Sequence, residues 1–119
     1  MSCKAELSEI ENIMNHLIEF DKMQWEESTK GLRIKTFTNS NQQVKLVEFS
    51  EGFIEPDWCM KGHAGYVLDG TFAIDYNGKL EQYKKGDVIF IPSGENDKHK
   101  AILGKGEKVL LLLFEVIEP

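Results

Sequence analysis

Apolar positions recur along this chain with two different periods. Between residues 8 and 20, Ile10, Ile13, Met14, Leu17 and Ile18 return every three or four residues, which lays one apolar stripe along a helix. Ser8 and Glu11 have the spacing of a capping box, in which hydroxyl and carboxylate satisfy the free backbone N–H groups at a helix start. The pattern therefore predicts a short α-helix over 8–20, with His16 off the stripe and on the surface. After Gly31 the period changes. Short runs rich in Val, Ile, Phe and Tyr alternate with glycine-containing turns, and they predict strands at 33–38, 43–49, 64–69, 71–76, 79–84, 87–92 and 108–117. Asp69-Gly70, Asn77-Gly78, Lys85-Gly86, Ser93-Gly94 and Gly104-Lys105-Gly106 punctuate them as turns.

Asn77-Gly78 is the sharpest local signal. A two-residue type I′ turn needs positive φ at both central positions, and Asn followed by Gly tolerates this best. Such a hairpin sets Tyr76 opposite Lys79, Ile74 opposite Glu81 and Phe72 opposite Tyr83, an aromatic pair across the strands. The last run, Val109 to Phe114, is apolar at both parities, as in a strand covered on both faces. A second copy of the chain or the N-terminal helix would supply the outer cover, which predicts a homodimer as one of the two solutions. The organisation read from these patterns is a meander or Greek key: residues 1–30 form a helix and lead-in segment, and 31–119 a β-barrel, together one domain.

Composition narrows the functional classes. With 119 residues there is room for one core. Twenty acidic against fourteen basic residues give a formal charge of -6, which disfavours nucleic acid and anionic membranes as partners. No apolar run approaches the ~18 residues of a membrane-spanning helix, and the opening MSCKAELSEIE carries acids where a signal peptide needs an apolar stretch, so the expected location is the cytoplasm. In that compartment Cys3 and Cys59 are expected to be reduced. Phosphate-cradling glycine loops, a nucleophile elbow and a Ser-His-Asp arrangement have no counterpart here, which disfavours serine hydrolase chemistry.

Residues 57–99 carry a resemblance. GYVLDG at 65–70 is similar to the first motif strand and turn of the cupin superfamily, and GDVIFIPSGENDKHKA at 86–101 is similar to the second motif, with Gly-Asp, an apolar strand, Pro, Gly and then His. FDKMQWEES at 20–28 resembles the lead-in of many small cupins. The resemblance implies an all-β, double-stranded β-helix of the cupin or jelly-roll type, usually paired into dimers, with a metal held inside by three His and one Glu in many members. Transferred to this chain, the Glu position is His63, the two first-motif His positions are Asp57 and Cys59, and the second-motif His is His99, reached after a loop two residues longer than the common spacing.

Strand parity groups some of the same residues. Asp57, Cys59, Lys61 and His63 share one face of an extended segment. With His99 from the opposite wall, the N, O and S donors of Asp57, Cys59, His63 and His99 suit a divalent transition metal such as Zn, Fe or Ni. The leading expectation is a small-molecule-binding cupin with a metal centre doing Lewis-acid or redox chemistry on a polar organic acid or sugar-derived molecule, as a metal-dependent isomerase or oxygenase would. The alternative is a metal-free ligand-binding or sensing module. In that case His63 and His99 bond carboxylates, Cys59 is a small buried hydrophobe and Asp57 a turn residue. Lys61 and Lys98 either meet an anionic substrate or are solvated. Trp58 points to the opposite face as a dimer contact, Tyr66 packs in the barrel, and Phe20 and Trp25 plug one end.

Overall fold

The computed structural model describes residues 16–117. Eight strands follow a 3-10 turn at Phe20–Lys22: β1 (Glu26–Thr29), β2 (Leu32–Asn39), β3 (Gln42–Ser50), β4 (His63–Tyr76), β5 (Lys79–Lys84), β6 (Val88–Ile91), β7 (Lys100–Ile102) and β8 (Lys108–Val116), with a second 3-10 turn at Glu95–Asp97. All pairings are antiparallel, in the order β1-β2-β3-β8-β4-β5, with β6 and β7 also paired to β4. The fold is thus a curled, all-β barrel.

Most of the expected helix, residues 8–15, lies outside the described residues. Over 16–19 there is no helix, and the 3-10 turn at Phe20–Lys22 is the only helical feature of the expected span among the described residues. The carbonyl of Phe20 accepts the N–H of Met23 and the Nζ of Lys35, at 3.0 and 2.6 Å, and so ties this segment to β2 instead of extending a helix.

The hairpin at Asn77-Gly78 has the expected register, Tyr76 with Lys79, Ile74 with Glu81 and Phe72 with Tyr83, and both turn residues have positive φ, 55° and 105°. Asp69-Gly70 differs from expectation. There β4 continues through a bulge between Val67 and Asp69, so the two expected strands are one. Gly70 sits at φ 82°, where a Cβ would collide with the carbonyl of Lys108 on β8. The glycine permits a close approach of two strands rather than a reversal of direction.

Inward-facing side chains come from one parity of each strand except β4, where the bulge switches the inward parity from Val67 to Phe72 and Ile74. Leu32, Ile34, Val47, Phe49, Val67, Phe72, Ile74, Ile89, Val109, Leu111 and Leu113 form one continuous core. Phe72 bridges the layers, with ring centroids 6.3 Å from Phe49 and 5.6 Å from Tyr83. β8 lies between β3 and β4, with Val109, Leu111 and Leu113 inward. Its outward residues continue an apolar surface. Val44, Phe114, Ala64 and Phe90 align across β3, β8, β4 and β6, and Leu46, Leu112, Tyr66 and Val88 form the next row. Phe90, Val88, Phe114 and Tyr66 are exposed, so Tyr66 faces out of the barrel rather than packing in it.

Candidate metal centre

One end of the barrel interior is polar. Register carries the inward row Ile34, Val47, Leu111, Val67 into Thr36, Lys45, Leu113, Gly65, and then into Thr38, Gln43 and Glu115. His63 opens β4 opposite Ile91, next to Glu115. Gly65 lets β8 approach β4 closely, since a Cβ there would stand 2.5 Å from a methyl of Leu113 and 2.7 Å from the carbonyl of Leu112. Across the barrel, Cys59 and His99 form an isolated antiparallel bridge with two 2.9 Å backbone hydrogen bonds, which sets their side chains side by side.

The ligand atoms of Cys59, His63 and His99 all lie within 4.8 Å of one another, and all three residues are buried. The sulfur of Cys59 is 3.5 Å from His63 Nε2, and the two imidazoles meet edge to face with centroids 5.3 Å apart. Tetrahedral zinc ligands at about 2.1–2.3 Å stand roughly 3.4–3.8 Å apart, so small side-chain rotations close this set around an ion. Asp57 is exposed, and its carboxylate is not among the converging atoms. Structure and expectation also part at Cys59, which is disulfide-bonded rather than a reduced thiol. A thiolate at this position requires that bond to be reduced.

Both imidazoles are oriented by their other nitrogen. His99 Nδ1 donates to the carbonyl of Asp97 at 2.9 Å, which leaves its Nε2 as a fully buried acceptor without a hydrogen-bond partner among the described residues. His63 Nδ1 faces Glu115 Oε2 at 2.5 Å, close enough for a proton on the ring nitrogen to meet the carboxylate. Burial lowers the pKa of both histidines, that of His99 to about 4, and a contact to Glu115 opposes the shift only in part at His63. Burial alone would raise Glu115, but contacts to His63 and Lys45 outweigh it and hold the carboxyl at about 2. The proton therefore resides on His63 Nδ1, and the Nε2 atoms of two neutral imidazoles present lone pairs beside the sulfur.

Glu115 and Lys45 carry no motif and were not among the expected site residues. Lys45 Nζ is 2.9 Å from Glu115 Oε1, both side chains being 2% exposed, and Lys61 Nζ is 3.3 Å from the same oxygen. Their signal is positional: a Glu and a Lys stand at the inward parity of strands that carry Val47 and Phe49, or Val109, Leu111 and Leu113, at the same parity. Lys98 and Lys100 instead cover the ring of Trp58 at 5.6 and 4.7 Å, and Arg33 and Lys35 cover that of Trp25 at 4.4 and 4.7 Å. Trp25 thus packs against the side chains of β2.

One cleft opens onto the centre and a second lies beside it. One, of about 610 Å³, is lined by Lys61, His63, Ser93, Phe90, Phe114 and Glu115 among others. The other, of about 390 Å³, lies between the β4–β5 hairpin and the 92–97 segment and is lined by Tyr76, Glu81, Tyr83 and Asp97 among others. Here Tyr76 and Tyr83 share a 2.7 Å hydrogen bond, Tyr83 donates to Glu81 at 3.1 Å, and the Tyr76 ring is 6.1 Å from that of His99. Burial raises both phenols, so they remain protonated at neutral pH.

No family model and no curated protein matches the sequence. Solved structures do. The polyketide cyclase RemF from Streptomyces resistomycificus aligns with a TM-score of 0.73 over 88% of this chain and 81% of its own, at 20% identity. An RmlC-like cupin from Shewanella frigidimarina aligns at 0.69 over 87% and 92%, with 18% identity. KdgF from a Halomonas species aligns at 0.65 over 82% and 90%, with 20% identity. Similarity of this extent at such low identity is similarity of fold, and together with the curled antiparallel sheet it shows that this chain has the fold of the small cupins.

Proposed function

We propose that this protein is a small-molecule-binding cupin whose barrel holds a divalent transition metal, Zn, Fe or Ni, through His63 Nε2, His99 Nε2 and the reduced sulfur of Cys59. The convergence of these three buried donors from two distant stretches of chain carries the reading. Three protein ligands leave a coordination position for a substrate, the arrangement of catalytic rather than structural sites. When bound, the metal supplies Lewis-acid polarisation of a carbonyl or activation of dioxygen. The chain's own groups do the rest. Both imidazoles are neutral at pH 7, so neither has to lose a proton to ligate. The cleft between the β4–β5 hairpin and the 92–97 segment offers the Tyr76 and Tyr83 phenols and the Lys79 ammonium to a polar organic acid, or the Glu81 and Asp97 carboxylates to the hydroxyls of a sugar-derived molecule, and the apolar core behind the site excludes water.

Elemental analysis of untagged protein purified under reducing conditions tests this. Near-stoichiometric transition metal, lost in His63→Ala and in His99→Ala, is the expected result; substoichiometric metal unchanged by either substitution overturns it. One observation favours a second reading, a metal-free binding module: a disulfide at Cys59 leaves two histidine donors. That reading predicts that a metabolite raises the melting temperature while a chelator leaves it unaltered.

We further propose that the outer apolar face pairs with a second copy. Ala64 lies between Phe114 and Phe90 along one row, so a small residue flanked by two large ones presents a hollow and two ridges to a face of the same shape. Sedimentation should give a dimer, and Phe90→Glu a monomer; a wild-type monomer at micromolar concentration removes the assignment.

A further inference from the structure

We infer that Glu115, held in place by Lys45, is a positioning residue that fixes the tautomer and ring orientation of His63, so that Nε2 and not Nδ1 is offered to the metal. The inference rests on the metal reading above and adds to it the residues that prepare one ligand. A free neutral imidazole populates both tautomers, and a ligand that must change tautomer binds less well. Ligating histidines are commonly fixed by an acceptor on the second nitrogen. The two histidines here have unequal acceptors. His99 Nδ1 lies 2.9 Å from a neutral backbone carbonyl, whereas His63 Nδ1 faces a carboxylate oxygen at 2.5 Å. A charged acceptor binds the proton more strongly and makes the opposite nitrogen the better donor.

Lys45 explains how the carboxylate can be there. A lone ionised carboxylate is too costly to bury, and it would protonate or turn to water. Lys45 Nζ takes Oε1 at 2.9 Å from the neighbouring β3, where Gln43 pairs with Glu115 in register, and this leaves Oε2 directed at His63. Lys61, a quarter exposed, meets Oε1 from the loop before β4 at 3.3 Å and is the more replaceable partner. No packing argument needs a buried Lys and a buried Glu at parities that Val and Leu fill elsewhere on the same strands. Holding one proton on one nitrogen is the role that accounts for both.

The test separates this inference from the metal reading. Long-range 15N–1H correlation spectra of the reduced, metal-free wild type should show His63 as the Nδ1–H tautomer, and Glu115→Gln should show a mixed or inverted population. Titration with Co2+, followed by its d–d absorption, should give affinity 10–100-fold weaker in Glu115→Gln, with Glu48→Gln, at a partly exposed carboxylate paired to Arg33, indistinguishable from wild type. An Nε2–H tautomer in the wild type, or unchanged affinity in a folded Glu115→Gln, overturns the positioning role; the wild-type spectrum decides this even if the variant does not fold. Failure of the wild type to bind Co2+ with the expected tautomer present would instead overturn the metal reading and leave the positioning geometry standing.

Discussion

The two ends of the barrel interior are built from the same strands and differ in a few inward positions. At one end Leu32, Ile34, Val47, Phe49, Phe72, Val109 and Leu111 are closed to solvent, and each contributes roughly 1.5–3 kcal/mol through burial. At the other end the same parity supplies Thr38, Gln43, Lys45, Glu115 and His63, all nearly as buried. Desolvating an ion pair takes back most of what its attraction returns, so these side chains add little to stability. A strand whose apolar parity is broken by charge gives up stability at that point, and here the break lies beside the converging donors.

Substitutions at the two ends should have different consequences. The largest effect is expected at the apolar end, where Phe49→Ala should lower unfolding stability by about 3–5 kcal/mol in a urea titration, with metal affinity of the remaining folded protein unaltered. Lys45→Met should cost a similar amount, because it strands a buried carboxylate, yet Lys45→Met combined with Glu115→Leu should return to within about 2 kcal/mol of wild type. A double variant as unstable as the single one would mean that the polar end is itself a source of stability.

Acid sharpens the contrast further. His63 and His99 titrate below 6.5 in the fold and near 6.5 in the unfolded chain, so the unfolded state takes up more protons and stability falls as pH drops from about 6.5 toward 4. Glu115, at about 2 in the fold, adds a contribution present above its ordinary value of 4.5 and lost as pH falls toward 2. Melting temperatures at pH 7, 5.5 and 4 should decline steadily, and a flat profile would show that the histidines are not buried neutral. The smallest effect lies far from both ends: Asn77→Ala should cost about 1 kcal/mol, since the φ of 55° suits Asn better than Ala.

Much of this architecture is legible in the sequence wherever local chemistry decides. The Asn77-Gly78 register follows from turn stereochemistry alone, and the strands with apolar alternation are found. β1 was missed because Glu-Glu-Ser-Thr has no apolar parity, and β7 because three residues give no period. Asp69-Gly70 misled because a glycine demanded by a close strand crossing looks the same as one demanded by a turn. At the candidate site, parity and motif group His63, His99 and Cys59, which the structure brings together, whereas Asp57, of the same parity as Cys59 and His63, is exposed. Lys45 and Glu115 lie 70 positions apart in sequence. Only the pairing of β3 with β8 brings them together, and no local pattern announces that pairing.

β4 carries a wider consequence. Its first half hydrogen-bonds to β6 and β8, and its second half to β5 and β7. One segment is therefore woven into both walls, and neither wall can peel away while the other persists. Amide exchange should accordingly report a single global opening for the strands of β4 and its neighbours, with no partly open form in which the histidines are scattered but the hydrophobic end endures. A bound ion would then protect the whole barrel, including amides far from it, by the same factor.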